Sequence, residues 1–147
     1  MNLHGPERLS LALLTLRLSV FLVMLVWTLD KLFAPAHAAG VFAHFYAIGG
    51  LGRASMYTIG AVELIIIIGF VLGVARRFTY GAVLVFHAVS TAASFPMYLD
   101  PAQGRLFYAA WPMLAACLTL YLLRDSDTLW TFARTLPRVV TGRSAKN

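Results

Sequence analysis

Four apolar runs of about eighteen residues or more alternate with polar breaks along the chain: residues 9–29, 54–74, 78–95 and 106–123. A helix of about twenty residues rises about 30 Å, the thickness of a bilayer's hydrocarbon core. The pattern predicts an all-α integral membrane protein, an antiparallel bundle of four transmembrane helices. The first run ends at Asp30-Lys31-Leu-Phe-Ala-Pro35, and the proline predicts that the helix stops or turns there. Residues 36–52 are too polar and too rich in glycine to span. Phe42, Phe45 and Tyr46 fall at three- and four-residue spacing within them. That predicts a short interfacial helix between helices 1 and 2, capping the outer end of the bundle. Pro96 stops the third run, and Asp100-Pro101 reads as a turn. Pro112 should kink the fourth run or shift its start. Residues 128–136 read as a second short interfacial helix. Small residues Ala12, Gly60, Gly69, Ala92 and Ala116 are available for close helix contacts. The domain reading is one membrane domain over residues 1–136 and a flexible basic tail over 137–147.

Composition narrows the class. The chain is 60% hydrophobic and 12% charged, where soluble domains carry about 25% charged residues. The net charge of +6 would suit nucleic acid in a soluble protein. Here the basic residues cluster at the ends of apolar runs, which is the bilayer pattern, so the lipid bilayer is the expected partner and nucleic acid is not. One alternate set of segments holds Arg8, Arg76, Arg77, Arg124, Arg134, Arg138, Arg143 and Lys146; the other holds Lys31, Arg53 and Arg105. Eight against three puts both termini at the cytoplasmic face, in an inner-membrane, multi-pass arrangement. The run after Arg8 is read as a retained first span, because Arg17 interrupts it and no small-residue cleavage site follows promptly. Cys117 is the sole cysteine, so no thiol pair relays electrons.

Three ionisable residues lie inside the runs: Arg17, Glu63 and His87. Counted at about 1.5 Å per residue from the run ends, all three fall near the midplane. Each is costly there alone, and a shared network lowers the cost. The expectation is a buried polar site of Arg17, Glu63 and His87. Ser90, Thr91 and Ser94 follow His87 on one helix face, and Arg17, Met24, Thr28 and Lys31 share a face of the first span. Three readings stay open: a device that fixes helix register, a binding or proton-handling site, and an Arg17 that reaches the cytoplasmic interface without meeting Glu63. His37 and His44 share the outer loop but lack a nearby carboxylate pair, so no metal site is expected. A second intramembrane histidine for haem is missing from the chain. Catalytic residues are not assigned.

Arg17 early in the first span, then Trp27-Thr-Leu-Asp30-Lys31-Leu-Phe-Ala-Pro35, resembles the opening of the DoxX-like family of small four-helix bacterial inner-membrane proteins. Gly60-Ala-Val-Glu63-Leu and Leu72-Gly-Val-Ala-Arg76 resemble that family's second span and turn. The resemblance covers roughly residues 14–95, and Trp27 and Thr28 stand where such proteins usually carry glycine. It implies Arg17, Asp30, Lys31 and Glu63 as the positions of interest, with Asp30 and Lys31 as an outer-end motif. It further implies a membrane subunit of a redox complex, linked to quinone or to sulfur compounds, acting as a homo-oligomer or beside a partner subunit. A quinone is the cofactor such a role allows. The competing expectation is a non-catalytic scaffold or small transport component.

Overall fold

A computed structural model describes residues 5–100 and 104–132. Among these residues the chain is helical, with no strand. Helix α1 covers Gly5–Phe33, α2 Pro35–Tyr46, α3 Arg53–Val71, α4 Arg76–Ala93, α5 Phe95–Tyr98 and α6 Ala110–Leu122. A 3-10 segment, Gly104–Ala109, leads into α6.

The proline signals act as expected. Ala34 breaks the first helix, and Pro35 opens α2 at a position where its missing N–H costs nothing. Pro112 sits in the first turn of α6, so the α-helix starts late and the 3-10 segment precedes it. The turn from α3 to α4 holds Gly73 at φ +65° and Ala75 at φ +46°, and Val74 N–H donates to the Gly69 carbonyl at 2.8 Å. The described part of the predicted second interfacial helix, residues 128–132, is not helical: it is a turn that folds back onto the bundle. The rest of that segment and the predicted tail, residues 133–147, lie outside the described residues.

The four long helices close a ring. Helix α1 packs most extensively on α3, α3 on α4, α4 on α6, and α6 returns to α1 through the slightest of these contacts. Each contributes to one core: Leu13, Val20 and Met24 from α1, Ile67 and Phe70 from α3, Tyr80 and Val83 from α4, Cys117 and Leu120 from α6. The outside is also apolar, with Leu22, Val26, Ile65, Val85 and Leu122 all more than half exposed. Water does not favour such a surface and lipid does. Three helical stretches, Gly5–Phe33, Arg53–Val71 and Gly104–Leu122, are long and apolar enough to cross a membrane. Helix α4 is of similar length but is diluted by Arg76, Arg77, His87, Ser90 and Thr91.

The helices are staggered rather than flush. Helix α2 lies over the end of α1 and along α3, and Phe45 meets Phe107 with ring centres 5.8 Å apart. We call this the cap end; the α3–α4 turn marks the turn end. At the cap end Tyr98 donates to the Thr91 carbonyl at 3.1 Å and its ring meets Tyr108. Burial, then the neighbouring Tyr108, raises the Tyr98 phenol above its ordinary pKa. The register of α1 on α3 is set at Gly60, where a Cβ would stand 2.8 Å from Leu32 Cδ2 and 3.1 Å from Lys31 Cβ. Gly69 likewise admits Thr79, whereas Ala12 and Ala92 are exposed. Gly60→Val should force α1 off α3 and lower stability by about 1–3 kcal/mol, as overpacking does. Thermal unfolding in detergent measures this, and an unchanged midpoint would contradict the stated register.

Candidate functional site: two ion pairs at opposite ends of the bundle

Arg17 does not meet Glu63. It lies fully buried at the turn end, where its Nη1 donates to Asp127 Oδ2 at 3.0 Å and to the Tyr80 hydroxyl at 3.3 Å. Its Nη2 donates to the carbonyls of Leu129 at 2.6 Å and Trp130 at 3.3 Å. Tyr80 completes the triangle by donating to the same Asp127 oxygen at 2.7 Å. Arg17 and Asp127 both have side chains at 0% exposure. The remaining donor, Arg17 Nε, and Asp127 Oδ1 have no protein partner among the described residues, so the pair uses one edge of each group.

This site exists because the chain after α6 turns back. Ser126 N–H donates to the Leu123 carbonyl at 2.9 Å, which reverses direction just past the helix. Phe132 N–H then reaches the Leu72 carbonyl at 2.9 Å, tying the returning segment to the α3–α4 turn. Arg76 clamps it from the other side through Thr131 Oγ1 at 2.7 Å, the Arg124 carbonyl at 2.9 Å and the Gly73 carbonyl at 3.3 Å. Gly73 must be glycine: its φ is positive, and a Cβ would stand 2.7 Å from the Thr131 side chain.

Glu63 pairs at the cap end with Lys31, Nζ to Oε2 at 2.9 Å, both side chains about one-tenth exposed. Lys31 also donates to the Trp27 carbonyl at 3.1 Å and sits 6.0 Å from the centre of the Phe42 ring. The neighbouring Asp30 holds His37 Nδ1 at 2.9 Å. Between Asp30, His37 and the apolar side chains of Val26, Trp27, Leu29 and Phe33 runs a shallow open groove.

The midplane constellation is therefore corrected. Fourteen residues of α1 separate Arg17 from Lys31, about 21 Å along the axis. Glu63 is at the level of Lys31, and Arg17 is at the level of the α3–α4 turn. Counting depth from the ends of apolar runs assumes flush helices. Here α1 is 29 residues long and extends past the turn end, whereas the 19-residue α3 extends past α1 at the cap end. His87 joins neither pair: its Nε2 meets the Ala110 carbonyl at 3.0 Å and fixes the start of α6. Thr91 and Ser94 donate to the carbonyls of His87 and Ser90 in their own helix, so the polar stripe is largely self-satisfied. Met24, Thr28 and Lys31 do share the inward face of α1 with Arg17, but Val20 and Met24 interrupt any polar path between the two charges.

Sequence reading missed Asp127 and Tyr80. Asp127 follows a basic residue in a short polar run, where nothing in its spacing separates it from Asp125. Among the described residues no three His, Cys, Asp or Glu side chains gather as a metal site would. No family model, curated protein or solved structure matches this chain.

Removing Asp127 alone, as Asp127→Asn, should destabilise the fold by about 3–5 kcal/mol, because it strands a buried guanidinium. Arg17→Met with Asp127→Leu should cost clearly less than the two single changes together. Arg17→Met with Glu63→Gln should instead be additive within about 0.5 kcal/mol. Unfolding of all variants in mixed micelles decides it. Coupling between Arg17 and Glu63, with none to Asp127, would overturn the assignment.

Proposed function

We propose that this chain is a four-span antiparallel membrane bundle of the DoxX-like kind that serves as the membrane subunit of a redox assembly linked to quinone or sulfur compounds. The observation that carries the reading is a meeting of motifs. The two segments that resemble the family, Trp27 to Pro35 and Gly60 to Glu63, are far apart in sequence and pack directly together. Gly60 admits Leu32 and Lys31, and Glu63 neutralises Lys31. Asp30 and His37 then stand at the rim of an apolar groove. A lipid-soluble ring carrier with polar edges suits that combination of apolar walls and a hydrogen-bonding rim.

A second reading has its own support. Arg17, Lys31 and Glu63 are each matched within the chain, Arg17 by four contacts that include two backbone carbonyls. Charges used up in this way fix helix register, as a scaffold or small transport component requires. Under either reading α4 crosses as well, in addition to the three more apolar stretches, its less apolar face turned to α3 and α6. The turn end, with its basic excess, is cytoplasmic in a bacterial inner membrane, and a homo-oligomer or a partner subunit completes the assembly.

Two measurements test this. Cysteines at the exposed positions Ala43 and Ser126 should divide by side: an impermeant thiol reagent added to intact cells should modify Ala43→Cys and spare Ser126→Cys. Native Cys117 is buried and should not interfere. The reverse labelling would invert the topology. Gently purified assemblies should then carry extractable quinone or a flavin-containing partner, and Lys31→Met should reduce that yield. An intact assembly without either would favour the scaffold reading.

A further inference from the structure

The returning segment after α6 does more than neutralise Arg17: it displays two aromatic rings. Trp130 is 77% exposed and Phe132 is 76% exposed, yet the backbone that carries them is hydrogen-bonded to the bundle at three points. Arg17 grips the carbonyls of Leu129 and Trp130. Arg76 grips Thr131, and Phe132 N–H is bonded to Leu72. Trp130 adopts φ +51°, a left-handed conformation uncommon for a bulky residue. A chain that merely trailed away from α6 would have no need of this conformation. Held so, it aims both rings outward from the turn end.

The charge around them is mainly positive. Arg8 and Arg77 are exposed at this end, and Arg124 lies over the Tyr121 ring at 4.8 Å. Against these stand Glu7, Asp125 and Asp127, and Arg17 neutralises the last of them. Amphipathic aromatic rings settle at the headgroup level of a bilayer, and clustered basic residues favour its anionic lipids.

We propose that residues 129–132, clamped by Arg17 and Arg76, form an anchor for anionic phospholipid, with Trp130 and Phe132 set into the headgroup layer and Arg77 and Arg124 binding lipid phosphate. The proposal rests on the membrane reading above but not on any redox role. The Arg17–Asp127 pair then acts as a positioning device, since it orients the anchor without touching lipid.

The test uses the full chain with Trp27→Phe and Trp111→Phe, both at exposed positions toward the cap end, so that Trp130 is the only tryptophan and can be excited selectively over the tyrosines. The protein is reconstituted into vesicles of phosphatidylcholine alone or with phosphatidylglycerol. In the anionic vesicles Trp130 should emit at shorter wavelength. It should be quenched several-fold less by aqueous acrylamide and more by lipids brominated high on the acyl chain. Salt should weaken the difference. Asp127→Asn should abolish it even where circular dichroism shows the helices intact; if that variant fails to insert, Arg77→Gln should still reduce the difference between the two lipids. Equal acrylamide quenching in both lipids would overturn the proposal. So would a Trp130 shielded from both quenchers, which would mean that a protein surface covers it. Failure of the chain to insert into either vesicle would sink the membrane reading itself, a result distinct from both.

Discussion

A guanidinium with no access to solvent is the constraint on which the turn end is built. Arg17 is fully buried, and an uncompensated charge in that position is costly enough to dictate its surroundings. One carboxylate, one phenol and two backbone carbonyls come to it. To deliver them, the chain must reverse after α6, and α3 must turn tightly at Gly73. Arg76 must then hold the returning segment against that turn. Gly73, Tyr80, Arg76, Asp127 and Thr131 are explained together by that one demand.

The cap end is organised on a different basis. There the ion pair of Lys31 and Glu63 retains slight solvent exposure, and packing sets the geometry. Gly60 lets α1 approach until Lys31 can reach across, and α2 closes over the top. The partition of charge follows from the bundle itself. Its middle, lined by Val20, Met24, Ile67, Phe70 and Val83, holds no ionised group, so the Arg17 and Lys31 pairs lie to either side of it.

Helix existence and approximate extent were legible, because apolar runs and prolines report local properties. Pro35 ended one helix and began another, and Pro112 delayed a third. The inward face of α1 was also legible, since Arg17, Met24 and Thr28 share it by helical spacing. The pairing of charges was not. It depends on the stagger between helices, which is decided by Gly60 against Leu32 and by the unequal lengths of α1 and α3. Run lengths carry no record of stagger. Nor could the partner of Arg17 be read, because Asp127 acts through a chain reversal that resembles an ordinary polar helix end. Glu63 and Arg17 are each buried against a charge, as the cost of burial requires, but the partners belong to different ends of the molecule.

The closure of the Arg17 site also has a direction in time. Asp127 follows Arg17 by 110 residues, so during synthesis the first helix is complete long before its counter-charge exists. Until the fourth long helix has emerged and the chain behind it has turned back, Arg17 must be accommodated by water, lipid phosphate or the insertion machinery. Helix α1 therefore reaches its final environment only when the segment after α6 has been made. A chain cut short before Asp127 keeps the four long helices described yet lacks the group that lets Arg17 remain buried. The presence of the segment after α6 is thus registered at α1.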